Sequence, residues 1–426
     1  MNEQKNMNEQ KNNCLPMIIW SVLVAFYFYQ FIGRSSFITV LTSEWMTYFK
    51  TDAVGIGVLG SCYYWIYTLM QIPAGIIIDR TGLRNVATFA TLICTAGLYA
   101  IVATDSFTVA AIGEMLLGFG SAFAFVLSVK AITEWFPTHK VAIMTSCTMS
   151  VGALGPVVGG PVVAAIVKHF QWQDVIKTYC WFGLVIAAIV WFVVKDKKAE
   201  TADHAEQEDQ QSVWQALKLI VSSGQAWILA LLTMALYAPL SSLGDLWGVS
   251  FIKVAYGLDS EMAALVNNML YLGVVLGAPF MAYIATLMCS YKKPMLIGIF
   301  CSLITMSLIV YCSAYINTAM LFVLFFLNGV GCSAILTYPL AFPLFPKSIG
   351  ATVTGFINMM SMVSGIILMP LIGFLIKCVW NGQMQNGVAV YQLSDYVYGL
   401  TSVIAFSIFG SIIAFFVKDR SPYDVN

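Results

Sequence analysis

The 426-residue sequence is 59% apolar and 10% charged, with a formal net charge of zero, and its mean hydropathy is +0.82. Soluble domains keep about a quarter of their residues charged, so the chain is read as an integral membrane protein. The neutral balance also excludes a nucleic-acid partner, which requires a basic field to offset phosphates.

The chain opens with MNEQKNMNEQKNN, a polar six-residue unit written twice. It lacks the basic start and short apolar core of a cleavable signal, so residues 1–16 are expected to form a disordered cytoplasmic tail and the first span to direct insertion. A crossing helix needs about 20 apolar residues. Such runs occupy 17–40, 54–78, 85–104, 108–133, 141–167, 176–194, 225–250, 261–288, 294–314, 318–342, 350–376 and 397–417. KDKKAETADHAEQEDQQSVWQALK, the longest polar stretch, separates the sixth run from the seventh. The predicted fold is an all-α membrane protein of twelve transmembrane helices: a six-helix bundle over 17–194, a linker over 195–224, a second six-helix bundle over 225–417 and a tail over 418–426.

Cytoplasmic loops retain Lys and Arg. With the N-terminus inside, that side carries fourteen and the other side five: Lys50, Lys168, Lys177, Lys253 and Lys377. Both termini are therefore expected in the cytoplasm. Arg34 and Lys130 remain within spans. The ten cysteines fall mostly in apolar runs without paired spacing and read as packing residues, neither bridges nor metal ligands.

Polar groups recur on single helix faces. In the first span they are Tyr27, Gln30 and Arg34; in the fourth Glu114, Gly118, Ser121, Phe125 and Ser128; in the seventh Tyr237, Ser241 and Asp245. Arg34 and Glu114 each lie about 9 Å below the outer edge at 1.5 Å per residue, and Asp245 lies near the same level. Tyr63, Tyr67 and Gln71 in the second span, Asn267, Asn268 and Tyr271 in the eighth, Asn328 in the tenth and Asn358 in the eleventh complete the candidate substrate-binding set. Hydrogen bonding between helices explains these neutral groups equally well. An intramembrane charge points more strongly to function. Lys130 is the exception, expected to snorkel or to pair with Glu134 four residues on.

The halves repeat a pattern. GFGS (118–121), WFP (135–137) and Pro161 correspond to GVGC (329–332), LFP (344–346) and Pro370, at offsets of 211, 209 and 209 residues. Duplicated units of this kind place a binding site at the interface of the halves in many carriers.

GIIIDRTGLRN (75–85) resembles the cytoplasmic signature loop of the major facilitator superfamily, and GPVVGG (155–160) resembles a second motif of that family. With twelve spans and a central linker, the resemblance covers essentially the whole chain. It implies a bacterial inner-membrane transporter, functional as a monomer, that works by alternating access and needs no cofactor or metal. Spans 1, 4, 7 and 10 would line its cavity. Asp79, Arg80 and Arg84 would gate it, and Glu134 would meet Arg80 or Arg84 when the inner side closes. CYYWIYTLMQIPAGIIIDR (62–80), IGRSS (32–36) and LGDLWGVSF (243–251) further resemble the branch holding the phagosomal nutrient transporters of intracellular bacteria, which implies amino-acid transport. Two departures stand out. The second-half loop YIATLMCSYKKPM (283–295) lacks the acid, so its latch is expected to be weaker, and Glu114 stands where many members carry Arg.

His139, His169 and His204 all fall outside the runs, which leaves Glu114 and Asp245 as the proton-carrying candidates. The expected function is proton-coupled uptake of a small carboxylate-bearing or zwitterionic nutrient, such as an amino acid or short peptide. Arg34 would pair with Glu114 or Asp245 and, once that acid is protonated, grip the substrate carboxylate. The alternatives are facilitated diffusion and a proton-antiporting exporter of a drug or siderophore-like polycarboxylate. An enzyme is not expected, since no span pairs metal ligands or sets a nucleophile beside a base.

Overall fold

The computed structural model describes residues 2–71, 73–196, 213–332, 334–346, 349–385 and 388–421. Among these, twelve helices are long and apolar enough to cross a membrane: Cys14–Val40, Ala53–Met70, Leu83–Ala103, Phe107–Trp135, His139–Ile166, Trp172–Val193, Gly224–Tyr256, Ser260–Leu287, Lys292–Tyr311, Thr318–Leu344, Thr352–Val379 and Leu393–Phe415. The chain is thus a multi-pass, all-α membrane protein. A two-residue hairpin, Met384–Gln385 with Val388–Ala389, precedes the last span.

Three local features differ from expectation. The polar opening is helical from Asn2 and runs unbroken to Phe31, because extending an existing helix costs far less than nucleating one. The second run ends at Met70, and a separate helix, Pro73–Thr81, follows; Pro73 has no N–H to donate to a continuous ladder. The tenth span is regular only over Thr318–Gly331 and then proceeds to Leu344 through short helical segments, in a stretch containing Pro339 and Pro343. Linker residues 197–212 lie outside the described residues.

An even number of crossings puts both termini at one end of the bundle, called here the terminal end; the other is the far end. The halves meet along two seams, the second span against the eleventh and the fifth against the eighth, and between them the first span meets the seventh. Gly57 makes the first seam possible. A Cβ there would lie 2.8 Å from the Cα of Pro370 and collide with the Met369 carbonyl, so only glycine admits this backbone approach.

The far end of both seams is fastened in the same way. Asp52 caps the second span by accepting from the Gly55 N–H at 3.1 Å and pairs with Lys377 at 2.6 Å. Asp259 caps the eighth by accepting from the Met262 N–H at 2.9 Å and pairs with Lys168 at 2.7 Å, while Glu261 takes the same ammonium at 2.9 Å. The aspartates are 207 residues apart and the lysines 209. The internal repeat therefore reaches the ion pairs that join the halves.

The repeat recurs at the terminal end. Asp196 accepts the Leu83 and Arg84 N–H groups at 2.5 and 3.3 Å, below Gly82 at φ 85°. Asp419 accepts the Lys292 N–H at 3.0 Å and the Ser290 hydroxyl at 2.7 Å. Both acids stand in Val-Lys-Asp, at 194–196 and 417–419, just after a sixth span. The loop that lacks its own acid is thus supplied with one from the chain's last turn.

Candidate functional site

The first and seventh spans both depart from α-helical winding in mid-course. Ile32–Ser36 and Leu240–Trp247 are π-helical, a local widening that leaves carbonyls without their usual partner and recurs at functional sites. The Gly244 carbonyl accepts the Asn267 amide N–H at 3.1 Å and the Thr39 hydroxyl at 3.5 Å, from the eighth and first spans. At an offset of 211, Ile-Gly-Arg (32–34) falls on Leu-Gly-Asp (243–245). One position of the repeat carries opposite charges in the two halves.

Those two residues meet. Arg34 Nη2 donates to Asp245 Oδ2 at 3.0 Å across the halves, with Arg34 5% and Asp245 1% exposed. The hydroxyls of Tyr64 and Tyr271 also donate to the Asp245 carboxylate, Tyr64 to Oδ2 and Tyr271 to Oδ1. Arg34 Nη2 further donates to the Tyr237 hydroxyl at 3.2 Å. Its guanidinium carbon lies 4.8 Å from the Phe31 ring centroid, 5.4 Å from Tyr63 and 5.6 Å from Tyr64, within reach of cation–π attraction. Nε is buried without a hydrogen-bond partner. The guanidinium thus has a donor to spare, in surroundings where an unsatisfied donor is costly.

Other predicted groups gather around it. Tyr63 donates to Gln30 Oε1 at 3.5 Å and stacks on Tyr67 at 5.5 Å. Tyr27 packs edge-on to Phe31 at 5.0 Å and against Phe125 at 5.7 Å. Glu114 is buried, 2% exposed, and no hydrogen bond or ion pair to it is found among the described residues. Of the two acids proposed for Arg34, the partner is Asp245.

The asparagines bond to neighbouring helices. Asn328 donates to the Ser302 carbonyl at 3.0 Å and the Thr305 hydroxyl at 2.9 Å, fastening the tenth span to the ninth. Asn358 donates to Gln71 Oε1 at 2.9 Å, bridging the eleventh and second spans. Asn267 braces the π turn, and Asn268 reaches the fifth span at the Pro156 carbonyl, 2.6 Å away. Among the signature-loop residues, Asp79 pairs with Lys130 at 2.5 Å, and Lys130 reaches Glu134 at 3.5 Å as its spacing predicts. Arg84 sits 4.2 Å over the Trp191 ring, and Arg80 is exposed.

Tyr64 was not singled out by the sequence. Steps of four from Tyr63 select Tyr67 and leave Tyr64 on another flank. The usable signal was its offset: Tyr64 and Tyr271 are 207 residues apart, like the capping aspartates.

The profile of the Major Facilitator Superfamily matches residues 23–251 and again 246–426. Among named proteins, the Probable galactarate/D-glucarate transporter GarP of Escherichia coli (strain K12) is 24% identical over 373 residues, covering 77% of this chain and 81% of that protein. The Probable galactarate/D-glucarate transporter GudP of the same organism is 23% identical over 424 residues, covering 87% and 89%. Among solved structures, a bacterial homologue of the human lysosomal transporter Spinster, in an inward-facing and unoccupied conformation, superimposes with a TM-score of 0.78 at 16% identity over 95% of this chain and 97% of that one. GarP and GudP carry the names of sugar-acid carriers, not of the phagosomal branch that the sequence resemblance suggested.

Proposed function

The chain belongs to the Major Facilitator Superfamily, and on that premise we propose that it is a secondary carrier for a small sugar acid, taken up together with a proton. The observation that carries the reading is the Arg34–Asp245 pair, buried where the halves meet. A guanidinium binds carboxylates bidentately, and an incoming carboxylate competes for it with the one the chain already provides. Phe31, Tyr63 and Tyr64 wall the guanidinium with rings, an apolar face suited to the carbon skeleton of a polyol chain. The names of GarP and GudP support sugar acids over the amino acids expected from sequence.

For the proton we favour Glu114 over Asp245. Asp245 is engaged by Arg34 and two tyrosines, whereas Glu114 has no such engagement and changes its own burial cost by gaining or losing a proton. With the termini in the cytoplasm, as the distribution of Lys and Arg supports, the far end is the outer side. Asp79, Arg80, Arg84 and Glu134 then belong to the inner gate.

Uptake into proteoliposomes tests this. Labelled galactarate, D-glucarate and D-galactonate are offered beside L-glutamate and a dipeptide, with and without an inward proton gradient. Accumulation of a sugar acid that the gradient stimulates and Arg34→Gln abolishes is the expected result. Uptake of L-glutamate or the dipeptide alone would overturn the substrate class.

A further inference from the structure

We propose that Asp245 is a tethered stand-in for the transported carboxylate, one that lets the carrier complete the return half of its cycle without cargo and so perform net transport in place of obligatory exchange. The proposal rests on the carrier reading above and adds to it the mode of turnover.

Closing the far end brings the Lys168 and Lys377 pairs together and buries Arg34 between the halves. A buried guanidinium without a counter-anion is strongly unfavourable, so an anion must accompany closure. In a carrier lacking one of its own, only the cargo can serve, and the empty protein is held open. Here the chain supplies the anion from the other half, at the repeat-equivalent position on a matching π turn.

The tyrosines divide the remaining work. When cargo takes Arg34, Asp245 loses its strongest donor and needs others, since a stranded buried acceptor is costly. Tyr271 belongs to the same half as Asp245 and stays with it in either arrangement. Tyr64 belongs to the half of Arg34 and is shared only when the far end is closed. Tyr271 is therefore a positioning residue for the anion, and Tyr64 a second cross-half contact that reports closure.

The first test needs no substrate. Fluorophores are placed on noncanonical residues at positions 105 and 314, in far-end turns of the first and second halves, and single-molecule distances are recorded in nanodiscs at neutral pH. The unmodified chain should be mainly closed. Asp245→Asn should lower the closed-to-open ratio at least about tenfold, and the double variant Arg34→Gln/Asp245→Asn should restore it. Asp245→Asn with the parental distances, or a double variant as open as the single one, would overturn the proposal. Should Asp245→Asn fail to fold, Tyr64→Phe/Tyr271→Phe replaces it, with an intermediate loss of closure expected and parental closure refuting.

The second test compares counterflow with net uptake of labelled D-glucarate. Asp245→Asn should raise the ratio of counterflow to net uptake at least about tenfold, and Tyr271→Phe should raise it less. A parallel fall in both rates would refute the stand-in role. If the unmodified chain carries none of galactarate, D-glucarate and D-galactonate, the substrate class fails, and the distance measurement still decides the present proposal.

Discussion

Tyr64 and Tyr271, one from each half and 207 residues apart, direct their hydroxyls at the same carboxylate, that of Asp245. With Arg34 as third donor, the arrangement makes Asp245 a fixed acceptor, whereas the buried Glu114 has no hydrogen bond or ion pair among the described residues.

Arg34→Lys keeps the charge but replaces a planar fork with a point charge. Initial uptake of the transported sugar acid should fall about tenfold or more, and Arg34→Gln should leave none. Parental rates in Arg34→Lys would show that bidentate geometry is unimportant.

The two acids should respond oppositely to amide substitution. Glu114→Gln strands no partner, so the melting temperature should hold or rise, while the pH dependence of uptake flattens. Asp245→Asn leaves Arg34 uncompensated, an expected loss of about 3–5 kcal/mol. Thermal unfolding in detergent separates them, and similar melting shifts would contradict the assignment.

At the far end, removing both bridging lysines should shift the labelled carrier toward opening, whereas either single change has a small effect, because exposed pairs contribute little. The difference should fade in about 1 M salt. The hydrogen bond from Lys168, with a smaller contribution from the Met262 N–H, holds the Asp259 carboxyl below its ordinary range, and that partner raises the Lys168 ammonium. A depressed carboxyl contributes stability above its unfolded value and loses it as pH falls through the folded one. The Lys168 bridge should therefore remain closed from about pH 5 to 8 and fail only in stronger acid.

Asn328→Ala should cost about 1–3 kcal/mol, since it removes two buried hydrogen bonds that tie the tenth span to the ninth. Because its amide faces the ninth span, KM for the substrate should change less than about twofold. A large KM shift without loss of stability would return Asn328 to the substrate site.

Gly57→Val should leave a folded, inactive carrier. Its side chain would occupy the space of the Met369 carbonyl and Pro370, holding the second and eleventh spans apart. Loss of the closed population in the distance measurement, with an unchanged gel-filtration profile, checks this.

The twelve crossings were legible because each is a run of apolar residues between polar breaks, a signal carried by composition alone. Arg34, Asp245, Tyr237, Gln30 and Tyr63 were legible because charge and polarity are conspicuous against such a background. The π turns were not, since one extra residue per turn leaves no mark on hydropathy. Tyr64 is passed over because steps of four from Tyr63 select another flank of the helix, and Lys168 reads only as a loop charge because its pairing with Asp259 depends on which helices become neighbours. The polarity of Asn328 is visible in the sequence, whereas the direction of its amide, toward the ninth span, is not.

The matching π turns have a historical consequence. Two identical six-helix subunits related by a twofold axis would have set the same residue against itself, so that any charge at this position would have faced its like. Joining the copies into one polypeptide freed each to diverge, and arginine could then face aspartate. The pairing of Arg34 with Asp245 is chemistry that a homodimeric ancestor could not have possessed.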